Sequence, residues 1–173
     1  FNLAHNQNRL TKSYNGTQVN FGEISWIEGQ DTKTYYMVRW AGVDPFDGSP
    51  MWYDANGNIT KVYDSTNNRV RGKSANPTVT GGMTNTLSYK NFSLRFLLNY
   101  QFGGFAYSSF ASIMNSDGYN VLSYNQAIEQ RNYWRNPGDI AMNTRPQAGV
   151  STGSSRTSTR YLYKKDMVRL QNV

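Results

Sequence analysis

The chain has 173 residues, in which Lys and Arg outnumber Asp and Glu by 18 to 11 and aromatic side chains make up 14%. That length suffices for one ordinary domain with a sizeable core, but mean hydropathy is −0.70. No apolar run approaches the roughly 18 residues of a transmembrane helix, so none is expected within this sequence. The formal net charge of +7 raises nucleic acid as a partner, yet the basic residues are scattered, with Lys164-Lys165 as the longest like-charge run, and no nucleic-acid-binding motif accompanies them. Nucleic acid is therefore not expected. The absence of cysteine fits a reducing compartment or a bacterial surface protein without disulfides, and decides little.

Phe1 to Leu10 reads as a strand with Phe1, Leu3 and His5 on one face and Asn2, Asn6 and Asn8 on the other. It opens without a charged or apolar leader, so no signal peptide is expected within this sequence. Lys12 to Asn76 is a long polar region rich in Gly, Asn, Asp and Thr, holding short strand candidates at Tyr35 to Trp40 and Met51 to Tyr53. A compact soluble domain rarely carries such a connection without function, whereas extracellular loops of barrels do. Within it, Asp44-Pro45-Phe46-Asp47-Gly48 and Asp54-Ala55-Asn56-Gly57-Asn58 carry the residues of tight turns. Asp54, Asn56 and Asn58 have the spacing of the first calcium-loop ligands, but no Glu follows at the twelfth position, and a plain turn is favoured.

Thr78 to Tyr89 is a long strand with Met83, Leu87 and Tyr89 on one side and Thr80, Thr84, Thr86 and Ser88 on the other. A minimal turn leads into Phe92 to Phe102. There Phe92, Leu94, Phe96, Leu98, Tyr100 and Phe102 alternate with Ser93, Arg95, Leu97, Asn99 and Gln101, the period of a strand with one apolar and one mostly wet face. Strands of about 9 to 11 residues cross a bilayer, whereas globular strands peak near 5 to 6. The second long loop, Gly103 to Arg160, holds a helix candidate at Asn125 to Trp134 and a Ser/Thr/Gly-rich tract, Ser151 to Thr159, expected to be mobile. Lys165 to Val173 opens a last strand. With strands interrupted at both ends, the sequence reads as a fragment. Two long amphipathic strands joined by a short turn and flanked by long loops have the asymmetry of outer-membrane barrels. A soluble carbohydrate-binding β-sandwich, which also uses amphipathic strands and loop aromatics, is the alternative.

Several ordered motifs resemble the C-terminal part of the SusC/RagA family of TonB-dependent outer-membrane transporters of Bacteroidota. They are Gly42-Val43-Asp44-Pro45, Gly48, Trp52-Tyr53-Asp54 and Gly57-Asn58; Pro77 with Gly81-Gly82 and Ser88-Tyr89-Lys90; Trp134 with Pro137-Gly138-Asp139; and Arg169-Leu170-Gln171-Asn172. Met167-Val168 departs from the family's usual Ser-Tyr before the last of these. The resemblance implies an all-β fold, an antiparallel part of a transmembrane β-barrel with long extracellular loops. Residues 1–173 would form one partial receptor domain from which the plug and the remaining strands are missing. It implies import of glycans or oligopeptides, not catalysis, in a cell outer membrane. The implied partners are a SusD-like surface lipoprotein, TonB through the missing N-terminal region, the remaining barrel strands, membrane lipid and the glycan or peptide itself. No cofactor and no metal is expected. Trp52, Tyr53, Tyr133 and Trp134 are the candidate substrate-binding residues, stacking on sugar rings beside Arg131 or Arg135, with the packing of hairpins as their other reading. An enzyme finds little support, since His5 is the only histidine, there is no thiol nucleophile, and Asp44 and Asp47 fall within a turn.

Overall fold

A computed structural model describes residues 1–67, 69 and 72–173. Among the described residues the strands are, in chain order, Asn2–His5 (β1), Val19–Phe21 (β2), Ile24–Trp26 (β3), Trp40–Val43 (β4), Pro50–Tyr53 (β5), Ile59–Thr60 (β6), Val79–Tyr89 (β7), Phe92–Phe102 (β8), Phe105–Tyr107 (β9), Leu162–Lys164 (β10) and Met167–Asn172 (β11), with one short α-helix, Ser109–Met114 (α1). The all-β class expected from the sequence holds. Among the described residues no helix is long and apolar enough to cross a membrane, which says nothing of strands.

The chain divides into two compact units. The first comprises Phe1–Tyr35, Arg71–Ala106 and Tyr163–Val173, the second Tyr36–Val70 and Tyr107–Leu162. The first is built on an open antiparallel sheet of order β1-β7-β8-β11. β7 and β8 pair along their whole length from Val79↔Phe102 to Tyr89↔Phe92, leaving Lys90 and Asn91 as the turn. Lys90 takes φ 52° to close it, a left-handed conformation that costs a non-glycine residue some strain.

Strand alternation then sorts the side chains. Leu3, Met83, Leu87, Tyr89, Leu98, Val168 and Leu170 share one face with Phe92, Leu94, Phe96, Tyr100 and Phe102. Thr80, Thr84, Thr86, Arg95, Asn99, Gln101 and Arg169 share the other. Much of the apolar face is exposed, Phe92 at 80%, Val168 at 63% and Leu87 at 57%. Tyr100 lies across Gly81 and donates its hydroxyl to the Asn2 carbonyl oxygen at 2.7 Å. A Cβ on Gly81 would stand 2.3 Å from both that hydroxyl and that carbonyl. Gly81 of the motif is thereby accounted for: it admits an aromatic ring and a neighbouring backbone where any side chain would collide, while a Cβ on Gly82 would stand 2.9 Å from the Asn99 side-chain oxygen.

The second unit is built on the antiparallel sheet β4-β5-β6. Its core gathers Met37, Val38, Trp52, Trp134 and Tyr161.

Four expectations are corrected in detail. The first strand stops at His5 instead of Leu10, because the Leu10 amide donates to the Gln30 carbonyl. The candidate at Tyr35 to Trp40 is displaced to Trp40–Val43, since Val38 is occupied by isolated bridges to Arg69 and Ser158. The helix expected over Asn125 to Trp134 contracts to one 3-10 turn, Ile128–Arg131, because Asn143 draws the segment off axis: its side-chain amide donates to the Glu129 and Asn132 carbonyls and its own carbonyl takes the Trp134 amide. The tract Ser151 to Thr159 is ordered, with Ser154 and Ser158 buried, Thr159 donating its amide to the Val38 carbonyl and accepting the Trp40 amide at its hydroxyl.

Candidate functional site

The second unit gathers the loop motifs. The Asp44-Pro45 turn closes the β4–β5 hairpin through the Gly48 amide on the Asp44 carbonyl and the Phe46 amide on the Asp44 side chain. The Trp134 loop docks on that turn. Its indole Nε1 donates to the Pro45 carbonyl at 2.9 Å, and the Gly138 amide donates to the same oxygen at 2.7 Å. Gly48, at φ 73°, lies against the indole, so that a Cβ there would come within 2.6 Å of the ring. Two motifs some ninety residues apart thus form one structural element, and Gly48 is required by both its backbone angle and the ring it faces.

Lys61 of the second hairpin ties the same turn. Its ammonium lies 2.5 Å from Asp44 and 2.8 Å from Asp47. The hydrogen bond from Lys61, followed by the Ser49 amide, holds the Asp47 carboxyl down to about 2. Asp44 is lowered by Lys61 first and the Phe46 amide second, and Lys61 is raised by the two carboxylates. Asp54 forms the turn favoured over a calcium loop, accepting the Asn56 and Asn58 amides on Oδ1 at 2.9 and 2.8 Å. Those contacts lower its carboxyl, Asn58 contributing most. Among the described residues no cluster of three or more His, Cys, Asp or Glu is placed to hold a metal.

The four aromatic residues singled out in the sequence fall into two pairs. Trp52 is 1% exposed and packs edge-on between Trp40 at 5.7 Å and Tyr63 at 5.5 Å. Trp134 is 7% exposed beneath the turn just described. Tyr53 and Tyr133 are half-buried, each with a guanidinium over its ring: Arg39 at 4.0 Å and Arg135 at 4.8 Å. Such pairs leave an aromatic edge and a cation reachable together.

Sequence reasoning missed the centre of this unit. Asp117, fully buried, receives a bidentate bond from Arg160 at 2.6 and 2.9 Å. Arg160 also donates to Asn143 Oδ1 at 2.8 Å and to the Ser154 carbonyl at 3.3 Å, and stacks over Trp40 at 4.9 Å. The only sequence signal is Asp117-Gly118, an ordinary turn pair; the partner lies 43 positions away.

In the first unit the polar face of the sheet carries a shallow cavity of about 570 Å³ bordered by Asn2, Thr80, Gly82, Asn99, Gln101 and Met167. Asn99 donates to Gln171 across this face.

An open antiparallel sheet with one apolar exposed face and one polar face, accompanied by a loop unit of hairpins locked on aromatic residues, defines the fold. No family model and no curated protein matches the chain. Solved structures do. The chain is similar to the RagAB peptide transporter, with a TM-score of 0.78 and 24% identity over 98% of this chain and 19% of that one. It is similar to the RagAB peptide importer in the open-open state, with a TM-score of 0.76 and 22% identity over 94% of this chain and 18% of that one. For the closed-closed state the TM-score is 0.66 and the identity 26%, over 86% and 16% of the two chains. The motif resemblance to the SusC/RagA family is therefore met by a likeness in fold to RagAB structures. The chain spans less than a fifth of the length of those chains.

Proposed function

We propose that the chain is a barrel-and-loop segment of a SusC-like, TonB-dependent transporter that imports oligopeptides or glycans across an outer membrane. A SusD-like lipoprotein presents the nutrient to the loops. The observation that carries this reading is the two-faced sheet. Nine large side chains of its apolar face, from Phe1 and Leu3 to Val168 and Leu170, are exposed. At about 1.5–3 kcal/mol for each side chain withdrawn from water, the unmet burial is on the order of 10 kcal/mol or more, comparable with the whole stability of a domain. Lipid meets that demand. Eleven-residue strands at roughly 3.4 Å per residue and a tilt near 45° rise about 26 Å, the height of the apolar band of outer-membrane barrels.

On this reading β1 and β11 pair with strands outside this sequence, since an open edge in lipid leaves backbone groups unsatisfied at several kcal/mol each. Arg95, Asn99, Gln101 and Arg169 line the lumen. Ligand contact falls to Tyr53 and Tyr133 with their stacked arginines, while Trp52 and Trp134 hold the hairpins that present them. The solved relatives are described as peptide transporters, which favours oligopeptides over glycans. Growth of the bacterium and a deletion strain on defined oligopeptides or on polysaccharides as sole nutrient tests the proposal: loss of peptide-dependent growth supports it, and unchanged growth on every substrate contradicts it. The soluble β-sandwich alternative requires a monomer that melts cooperatively in detergent-free buffer.

A further inference from the structure

A second cavity, of about 220 Å³, lies within the loop unit and is bordered by Asp47, Gly48, Lys61, Arg145, Gln147 and Thr152. We propose that it binds a carboxylate-bearing ligand through the guanidinium of Arg145 and the side-chain amide of Gln147. The backbone beneath both residues is fixed. The Arg145 amide donates to the Gly48 carbonyl at 3.0 Å, and the Gln147 amide to the carbonyl of the buried Asp117, also at 3.0 Å. Thr144, immediately before Arg145, is fully buried. The side chains, by contrast, make no hydrogen bond or ion pair with any described residue, and Arg145 is exposed.

The other charges at the cavity are already engaged. Lys61 is shared between Asp44 and Asp47, and Asp47 also accepts the Ser49 amide at 3.0 Å. Thr152 donates its hydroxyl to Ser154 at 2.8 Å. What the cavity offers a ligand is therefore a planar fork of N–H donors with an amide two residues away, the complement of a carboxylate. Asp47 opposes a second negative charge, so one carboxylate is favoured over a phosphate.

The proposal deepens the import reading by assigning an anionic group to the cargo. Either a peptide C-terminus or the uronate of an acidic glycan supplies that group. The test is titration of the full-length protein, purified in detergent, with trialanine, trialanine amide and digalacturonate. Trialanine or digalacturonate should bind at least tenfold more tightly than the amide. Arg145→Gln should abolish that preference by weakening acid binding at least tenfold, and Gln147→Ala should weaken acid binding severalfold. The better of the two acids identifies the source. Equal binding of acid and amide, no measurable binding of either acid, or an Arg145→Gln protein that binds acid like wild type overturns the proposal. Uptake separates the two ideas: nutrient import with acid binding indifferent to Arg145 removes this site alone, whereas Arg145-dependent binding in a protein whose deletion spares all uptake removes the import reading alone.

Discussion

Arg160 and Asp117 are both almost fully buried, at 7% and 0% side-chain exposure, and each depends on the other for compensation. Replacing a pair of this kind by apolar residues is often neutral, but removing one partner leaves an unbalanced buried charge at about 3–5 kcal/mol. Asp117→Ala is accordingly expected to loosen the loop unit by that amount. Asp117→Asn should cost less, because Asn tolerates the φ of 52° at this position and still accepts one bond. Urea unfolding followed by the fluorescence of Trp40, Trp52 and Trp134, which lie in this unit, measures both. This pair was illegible in the sequence because nothing local marks a buried carboxylate: its meaning comes from a partner 43 positions away. The pairing of Trp134 with the Asp44 turn was half legible. Both motifs were visible, but their contact became apparent only through the Pro45 carbonyl and the bare Gly48.

At the scale of elements, the β4–β5 turn is clamped by three charges whose titration sets its pH range. Asp47 is depressed to about 2 from 3.8, so its contribution is complete above about pH 4 and lost as pH falls through about 2. Asp44 is lowered in the same sense. Lys61 is raised above 10.5, so its contribution is complete below pH 10.5 and lost as pH rises through the raised value. Hydrogen exchange at the Phe46 and Ser49 amides should therefore be slowest relative to the intrinsic rate between about pH 4 and 10, and Lys61→Met should release both amides. The long hairpin makes a different prediction. Leu98 and Asn99 are adjacent in β8 and face opposite sides, so Leu98→Arg should cost about 2–4 kcal/mol of folding into a bilayer and Asn99→Arg far less. Folding titrations into lipid vesicles check the difference.

The hairpin was also the most legible element. β8 begins and ends at the residues the alternation marked, and β7 differs by a single residue. Period two persists there because β7 and β8 pair without a break from end to end, so that successive residues face opposite sides throughout. The short strands and 3-10 turns of the loop unit were less legible, because there tertiary bonds such as those of Asn143 decide the backbone. The polar tract Ser151 to Thr159 misled for the same reason. Its serines look like linker, yet Ser154 and Ser158 are buried around Arg160 and Tyr161.

For the whole molecule, the proposed import reading makes one demand of the open sheet: the apolar face meets lipid and the polar face water. The chain contains no cysteine, so single cysteines introduced along β8 are each the only thiol of this segment, and their labelling in the full-length protein, in membranes isolated from the bacterium, tests the proposal. Those at Leu94, Phe96 and Leu98 should react with a lipid-soluble maleimide and resist a charged, water-soluble one. Those at Arg95, Leu97 and Asn99 should show the reverse, giving a period of two over the strand. Equal labelling of both sets by the charged reagent, or the opposite alternation, would contradict the assignment of this sheet to a membrane barrel.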